Sequence, residues 1–222
     1  RVLLWVLYYL HSLYYSTFIG SVTRKYELNY HLYTDDTQLY VSFKPSDASS
    51  INIMINNIER CYLEIKEWMK VNLLKLNDDK TELLIATEKK YKTHHSQYNV
   101  NLDGTTISPQ SSIRNLGVIF NSVLDVEAFV NAKCKAARHV LRNIARVRNN
   151  LTSESTKTII NAYVISKLDY CNSLLLGAPA SMLDRLQKVQ NYAARVVSLT
   201  PKRDHITPVL AGLHWLPVKQ RI

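Results

Sequence analysis

The sequence of 222 residues contains little glycine and little cysteine, which excludes several common kinds of functional site. Its five glycines are widely spaced, and this excludes a GxGxxG dinucleotide loop, a Walker P-loop and a GxSxG nucleophile elbow. Its three cysteines form no CxxC motif, which argues against a zinc cluster or a disulfide framework and indicates a reducing compartment. We therefore expect an intracellular protein of the cytoplasm or nucleus that is not secreted.

Positive charge is abundant but unevenly distributed along the chain. The formal charge is +10, from 28 Lys and Arg against 18 Asp and Glu. Residues 1–124 carry 13 basic and 12 acidic side chains, a net of +1, whereas residues 125–222 carry 15 and 6, a net of +9. A basic region beside a nearly neutral one indicates a polyanionic partner, most often nucleic acid. A solvated helical surface explains the same charge equally well.

Residues 1–22 are rich in apolar and aromatic side chains, as in a signal peptide or a membrane span. Polar residues from His11 to Thr17 interrupt this stretch, and it has no small-residue cleavage site. We therefore predict a half-buried helix here and no membrane partner. Because the sequence starts without Met and ends inside an apolar phrase, we also expect it to be part of a longer protein.

Residues 1–124 combine strand and helix patterns. Apolar, β-branched and aromatic residues flank Thr34-Asp35-Asp36, which predicts a β-hairpin over residues 28–43. Apolar residues recur at helical spacing from Ile51 to Met69, which predicts an amphipathic helix of about six turns capped by Ser46 or Asp47. The later patterns predict a turn at 77–80, a strand at 81–85, a hairpin turn at Asp103-Gly104 and a strand at 115–120.

Residues 125–222 have helical periodicity. In the first predicted helix, over 125–149, one face is apolar, with Phe129, Cys134, Ala137, Leu141 and Ile144. Much of its remaining surface is basic, with Lys133, Lys135, Arg138, Arg142, Arg146 and Arg148. Two more helices are predicted, from Thr152 or Ser153 to about Leu176 and over 181–199. The predicted fold class is therefore α+β, a β-rich region at 1–124 followed by an all-α bundle at 125–222.

Two adjacent carboxylates, Asp35 and Asp36, lie at the centre of the predicted hairpin. Like charges this close repel each other unless a cation compensates them. Mg²⁺ binds carboxylate oxygens and leaves positions for water and phosphate, and two such ions can serve nucleotidyl transfer. An isolated Asp-Asp pair is also common in solvated turns that bind nothing.

The tetrapeptide Tyr33-Thr34-Asp35-Asp36 resembles the YxDD motif of reverse transcriptases, and YTDDTQLY over 33–40 resembles polymerases of non-LTR, LINE-type retrotransposons. The resemblance continues in order along nearly the whole chain. Trp68-Met69, residues 72–77 and Lys80-Thr81-Glu82 are similar to the next palm motif, residues 113–118 to the primer-grip hairpin, and residues 168–172 and 203–218 to the tail of these elements.

This resemblance implies the C-terminal part of a polymerase palm at 1–124 and a thumb with its extension at 125–222. The implied activity is RNA-directed DNA polymerase, a nucleotidyltransferase that uses two Mg²⁺ ions, an RNA template, a DNA primer and dNTPs. Asp35 and Asp36 would be catalytic metal ligands. Lys80 would be a catalytic proton donor to the leaving pyrophosphate, although a surface lysine is an equally good reading.

The resemblance also implies contacts with nucleic acid. Tyr33, Leu116 and Gly117 would position the primer end, although an ordinary hairpin explains the last two nearly as well. The predicted basic face would contact the template–primer backbone, which gives affinity without sequence choice. That face comprises Lys133, Lys135, Arg138, Arg142, Arg146 and Arg148.

Three elements of the family's polymerase have no counterpart in this sequence. They are a third palm carboxylate, the Pro-Gln-Gly-Ser loop that follows it, and the fingers; no Asp or Glu precedes Glu27. We therefore expect that Asp35 and Asp36 hold at most one ion loosely and that the chain is inactive as a polymerase alone. Two alternatives stay open: a non-catalytic remnant that binds nucleic acid, and a helical protein-interaction fold.

Overall fold

The computed structural model describes residues 2–9, 13–34, 36–43, 47–77, 80–87 and 98–222. It is a mixed α/β structure with small antiparallel hairpins, which confirms the predicted fold class at that level. The chain divides into two compact units. We name them the sheet unit, Arg1–Asn115 with Phe120–Leu124, and the helical unit, Leu116–Ile119 with Asp125–Ile222.

Four antiparallel strands, in the order β2-β3-β1-β4, form the main sheet of the sheet unit. They are β1 (Val2–Tyr9), β2 (Asn29–Tyr33), β3 (Asp36–Phe43) and β4 (Leu83–Ala86). The pairing of β2 with β3 confirms the predicted hairpin. β4 begins two residues later and ends one residue later than the strand predicted at 81–85, and Asp78 and Asp79 of the predicted turn lie outside the described residues.

The helix predicted over residues 1–22 is wrong in its first part. Val2–Tyr9 form β1, which pairs along its whole length with β3 and along Leu3–Val6 with β4. Only Leu13–Lys25 are helical, as α1. A short continuous apolar run suits a strand with neighbours on both sides as well as it suits a buried helix, so its periodicity could not decide between them.

The long amphipathic helix is confirmed as α2, Ala48–Val71. Asp47 caps it, because its carboxylate accepts a hydrogen bond of 3.1 Å from the Ser50 backbone N–H; the alternative cap, Ser46, lies outside the described residues. The apolar stripe of α2 is buried in one core with residues of α1 and β3. Among the most completely buried of these side chains are Ile19, Leu39, Ile51, Ile58, Tyr62, Ile65 and Met69.

Two further hairpins follow. β5 (Val100–Leu102) and β6 (Thr105–Ile107) are joined by Asp103-Gly104, as predicted, and both turn residues have positive φ. The single strand predicted at 115–120 is wrong. These residues belong to a hairpin of β7 (Ser112–Asn115) and β8 (Val118–Asn121), because Leu116 and Gly117 adopt positive φ and reverse the chain.

The helical unit contains α3 (Glu127–Val147), α4 (Ser153–Ile160), α5 (Ser166–Asp169), α6 (Ala180–Ser198) and α7 (Thr207–Gly212). A π-helical turn, Asn161–Ile165, joins α4 to α5. The predicted apolar face of α3 is buried as expected. The second predicted helix ends earlier than about Leu176, because Cys171 adopts a left-handed conformation with φ 49°.

Candidate functional site

The YTDD turn connects β2 to β3, whose last paired residues are Tyr33 and Asp36. Tyr33 is 57% exposed and Asp36 is half-buried at the start of β3. Asp35, predicted as a metal ligand, lies outside the described residues. Thr34 has φ 54°, which is uncommon for a β-branched residue and costs about 1–3 kcal/mol of backbone strain. Strain of this size persists only where the surrounding structure imposes it.

The strand register brings Asp36 and Lys80 to the same end of the sheet. Asp36 pairs with Tyr9 on β1, and Val6, three residues earlier on β1, pairs with Leu83 of β4. Lys80 precedes Leu83 by three residues and therefore lies toward the Tyr9 end. Since neighbouring strands are about 4.8 Å apart, two strand spacings of about 10 Å separate β3 from β4. Lys80 is exposed, and its backbone N–H donates to the Asn77 carbonyl.

The described residues do not by themselves form a metal centre. Among them, no group of three or more His, Cys, Asp and Glu side chains is placed to hold an ion. At the YTDD turn the described part supplies one carboxylate, that of Asp36. Mg²⁺ binding therefore stays a prediction that depends on Asp35 as well.

Each part of the hairpin predicted as a primer grip has a side-chain hydrogen bond within its own unit. In the sheet unit, the Gln38 Nε2 amide of β3 donates a buried hydrogen bond of 3.0 Å to Asn115 Oδ1. In the helical unit, the Tyr170 hydroxyl donates to the Leu116 carbonyl, and the Tyr170 ring lies beside the position that a Cβ on Gly117 would take. Tyr170 is not among the site residues predicted from the sequence, although it belongs to the phrase at 168–172 that carries part of the resemblance.

We expect Gly117→Ala to lower the free energy of unfolding by about 1 kcal/mol, because Gly117 has φ 79° and alanine is strained there. The added Cβ would meet Tyr170 Cε1 at 3.5 Å, an ordinary contact, so backbone strain dominates. Gly212→Ala is the matched control, since Gly212 ends α7 without positive φ and no atom lies near its Cβ position. Urea unfolding checks both, and equal effects would contradict the prediction.

Lys133 does not lie on the exposed basic face of α3, so its predicted placement is wrong. It is 7% exposed, and its Nζ donates to the carbonyls of Leu168, at 3.2 Å, and Tyr170. Its ammonium also lies 4.4 Å from the Phe129 ring centroid. Burial lowers the pKa of Lys133, while Cys171 and Asp169 oppose that shift. Lys133 therefore caps the C-terminal end of α5 instead of facing a nucleic acid.

Arg148 is the second predicted contact that the structure places inside, at 8% exposure. Its guanidinium donates to the carbonyls of Val196 at 2.8 Å, Val197 at 2.7 Å and Leu151 at 2.7 Å. The first two belong to the last turn of α6, where carbonyls have no partner within the helix. Arg148 therefore caps α6, and its positive charge also suits the negative end of that helix.

The sequence contained a signal that Lys133 and Arg148 are buried. Lys133 and Arg148 are in phase with the buried stripe of α3, because they fall at helical spacing from Val130, Leu141 and Ile144. The remaining four cations of the predicted face are exposed: Lys135, Arg138, Arg142 and Arg146. These four remain the candidate nucleic-acid contacts of α3.

No family model matches this chain, and no curated protein or solved structure matches it significantly. Of the helices that the structure describes, none is both long and apolar enough to cross a membrane.

Proposed function

We propose that this chain is part of an RNA-directed DNA polymerase of the non-LTR retrotransposon kind, with palm residues in its sheet unit and a thumb in its helical unit. The observation that carries the proposal is the sheet register, which brings the YTDD turn and Lys80 to one end of a four-stranded antiparallel sheet. In the sequence these residues are separated by more than forty positions. A site built from the turn and Lys80 requires that they share an end of the sheet.

The strained Thr34 supports the same proposal, because strained turn residues concentrate at functional sites. The residues of this chain then have distinct roles. Tyr33 is exposed beside the turn, where a primer end can contact it, and Lys80 holds a proton near the leaving group. The exposed cations of α3 bind backbone phosphates, which positions a template–primer duplex without reading its sequence.

A second candidate function is non-catalytic nucleic-acid binding by the same chain. It is favoured by the exposed cations of α3, which can bind backbone phosphates whether or not the acidic turn holds a metal ion. Both candidates require binding to nucleic acid through α3. They differ in whether the acidic turn takes part in chemistry.

The shared requirement is tested by fluorescence anisotropy with a labelled DNA primer annealed to an RNA template. We expect salt-dependent binding, and we expect removal of four cations from α3 to reduce the magnitude of the slope of log K against log salt by up to about 3.6, since each phosphate contact contributes about 0.9. The variant combines Lys135→Gln, Arg138→Gln, Arg142→Gln and Arg146→Gln.

The control changes the net charge equally through exposed lysines elsewhere, by Lys70→Gln, Lys75→Gln, Lys167→Gln and Lys219→Gln. Equal slopes for the two variants would show that only net charge matters and would contradict a specific α3 interface. We expect no primer extension by this chain alone. A DNA product that Asp36→Asn abolishes would favour the catalytic candidate over the non-catalytic one.

A further inference from the structure

A groove runs between α3 and α6 in the helical unit, with a volume of about 660 Å³. A second recess of about 350 Å³ adjoins it and shares Lys188 and Tyr192 with it. We name the two together the α3–α6 groove. Its lining includes charged and aromatic side chains: Arg138 and Arg142 of α3, Lys188, Tyr192 and Arg195 of α6, and Lys202 after α6.

The two walls of the α3–α6 groove are parallel helices. At their N-terminal ends, Arg185 of α6 contacts Glu127 and Asn131 of α3. At their C-terminal ends, Arg148 donates to Val196 and Val197. The groove therefore follows one row of residues on each helix, and the buried Arg148 fixes its far end. This gives an elongated channel whose length is set by rigid elements.

The charge of the α3–α6 groove is of one sign. Arg138, Arg142, Lys188 and Lys202 are exposed along it, and none of the described residues that line it is acidic. Arg195 has a different task, because it donates to the carbonyls of Pro201 and Asp204 and so holds the loop that carries Lys202. Four solvent-facing cations, three on the two helices and Lys202 in the loop after α6, form a positive channel that attracts a chain of phosphates.

An aromatic side chain lies in the middle of this positive channel. Tyr192 is 40% exposed and lines both parts of the groove. Polar side chains of Asn149, Asn191 and Thr200 line the same space. An open aromatic ring among cations is the arrangement by which proteins bind single strands, since bases stack on the ring while the backbone follows the charges. A duplex keeps its bases stacked inside and cannot use such a ring.

We propose that the α3–α6 groove binds a single-stranded segment of nucleic acid, with an unpaired base on Tyr192 and phosphates at Lys188, at Lys202 and, where the duplex gives way to the single strand, at Arg138 and Arg142. This deepens the proposed function and rests on it, because it assigns α6 to the unpaired strand that continues from a template–primer duplex. An acidic peptide can pair with the cations but has no base to stack on the exposed ring. A nucleic acid satisfies both.

The test is fluorescence anisotropy of labelled single-stranded dT15 with the full chain. We expect Tyr192→Leu to weaken binding by about ten-fold, in the range found when one stacking residue is removed, and Tyr192→Phe to keep it within about two-fold because the ring is retained. Tyr163→Leu is the matched control, since Tyr163 is 58% exposed in the same unit and does not line the groove. We expect it to bind like the wild type.

A charge variant keeps the test decisive if Tyr192→Leu does not fold, as judged by circular dichroism. Lys202→Glu reverses an exposed charge in the groove, and Lys167→Glu reverses an exposed charge on α5. We expect Lys202→Glu to weaken dT15 binding several-fold more than Lys167→Glu. Equal effects of these two variants, or dT15 binding that is unchanged in a folded Tyr192→Leu, would overturn the proposal.

Two further probes, the template–primer and polyglutamate, separate this inference from the proposed function and from other partners. If the chain binds template–primer but Tyr192→Leu does not change dT15 binding, single-strand binding in the groove is overturned and the proposed function is not. If the chain binds dT15 but not template–primer, the proposed function is overturned and single-strand binding in the groove is not. No binding of either probe overturns both. Displacement of dT15 by polyglutamate at equal charge concentration would identify an acidic polypeptide as the occupant and overturn the assignment to nucleic acid.

Discussion

Replacing Arg148 by methionine is expected to lower the free energy of unfolding by about 3 kcal/mol, the largest effect of any substitution considered for this protein. The variant loses hydrogen bonds to three carbonyls, those of Val196, Val197 and Leu151. Hydrogen bonds from charged donors contribute about 1.5–3 kcal/mol each, and buried carbonyls left without partners add a desolvation cost. Relief from burying the guanidinium offsets part of this loss.

The measurement is urea unfolding followed by far-UV circular dichroism. Arg146→Met is the control, because Arg146 is exposed in the last turn of α3, two residues before Arg148, and its replacement is expected to change stability by less than about 0.5 kcal/mol. Arg148→Lys tests the geometry, since one ammonium keeps the charge but cannot match the fork that reaches three carbonyls. We expect the stability of Arg148→Lys to lie between those of the wild type and Arg148→Met. Equal stability of Arg148→Met and Arg146→Met would show that Arg148 is a surface residue.

Lys133→Met is expected to lower the free energy of unfolding by about 2 kcal/mol. The change leaves the carbonyls of Leu168 and Tyr170 without their donor, at about 1–3 kcal/mol for each unsatisfied group. The methionine fits an apolar site better than an ammonium does, and this reduces the loss. Lys135→Met is the matched control, because Lys135 lies two residues along α3 and is exposed. A stability loss shared by both variants would contradict the capping role.

The pH dependence gives an independent check on Lys133. Burial lowers the pKa of Lys133, so the unfolded chain holds its proton at pH values where the folded chain has released it. Between the lowered pKa and the ordinary lysine value, stability contributed by this residue rises with pH. We therefore expect the wild type to gain stability relative to Lys133→Met as pH is raised toward about 10. If the stability of the wild type relative to Lys133→Met falls as pH rises over this range, the predicted direction of the pH dependence is contradicted.

Local sequence patterns were sufficient to predict those elements whose defining residues lie close together in the chain. The stripe from Ile51 to Met69 predicted α2, and Asp47 was one of two predicted caps. The turn signal Asp103-Gly104 predicted the β5–β6 hairpin. Such signals are short-range, because a cap, a turn or an apolar stripe involves residues only a few positions apart. The same reasoning placed the YTDD turn between two strands.

The errors arose where a distant partner determines the local structure. The apolar stretch Val2–Tyr9 is a strand because β3 and β4 lie on either side of it, and neither neighbour can be read from the stretch itself. Leu116 adopts positive φ although leucine rarely does, while Tyr170 binds its carbonyl from 54 positions away. The candidate site has the same dependence, since the register of three strands is what brings Lys80 toward Asp36.

The sequence by itself determined the charge asymmetry, the order of the main helices and the YTDD phrase, since these depend on composition and short-range periodicity. The tertiary structure alone decided what the buried cations bind. The helical phase of Lys133 and Arg148 indicates that they face inward, but only the fold places them against the carbonyl ends of α5 and α6. A helix end lacks internal partners for its last carbonyls, and only packing shows which side chain supplies them.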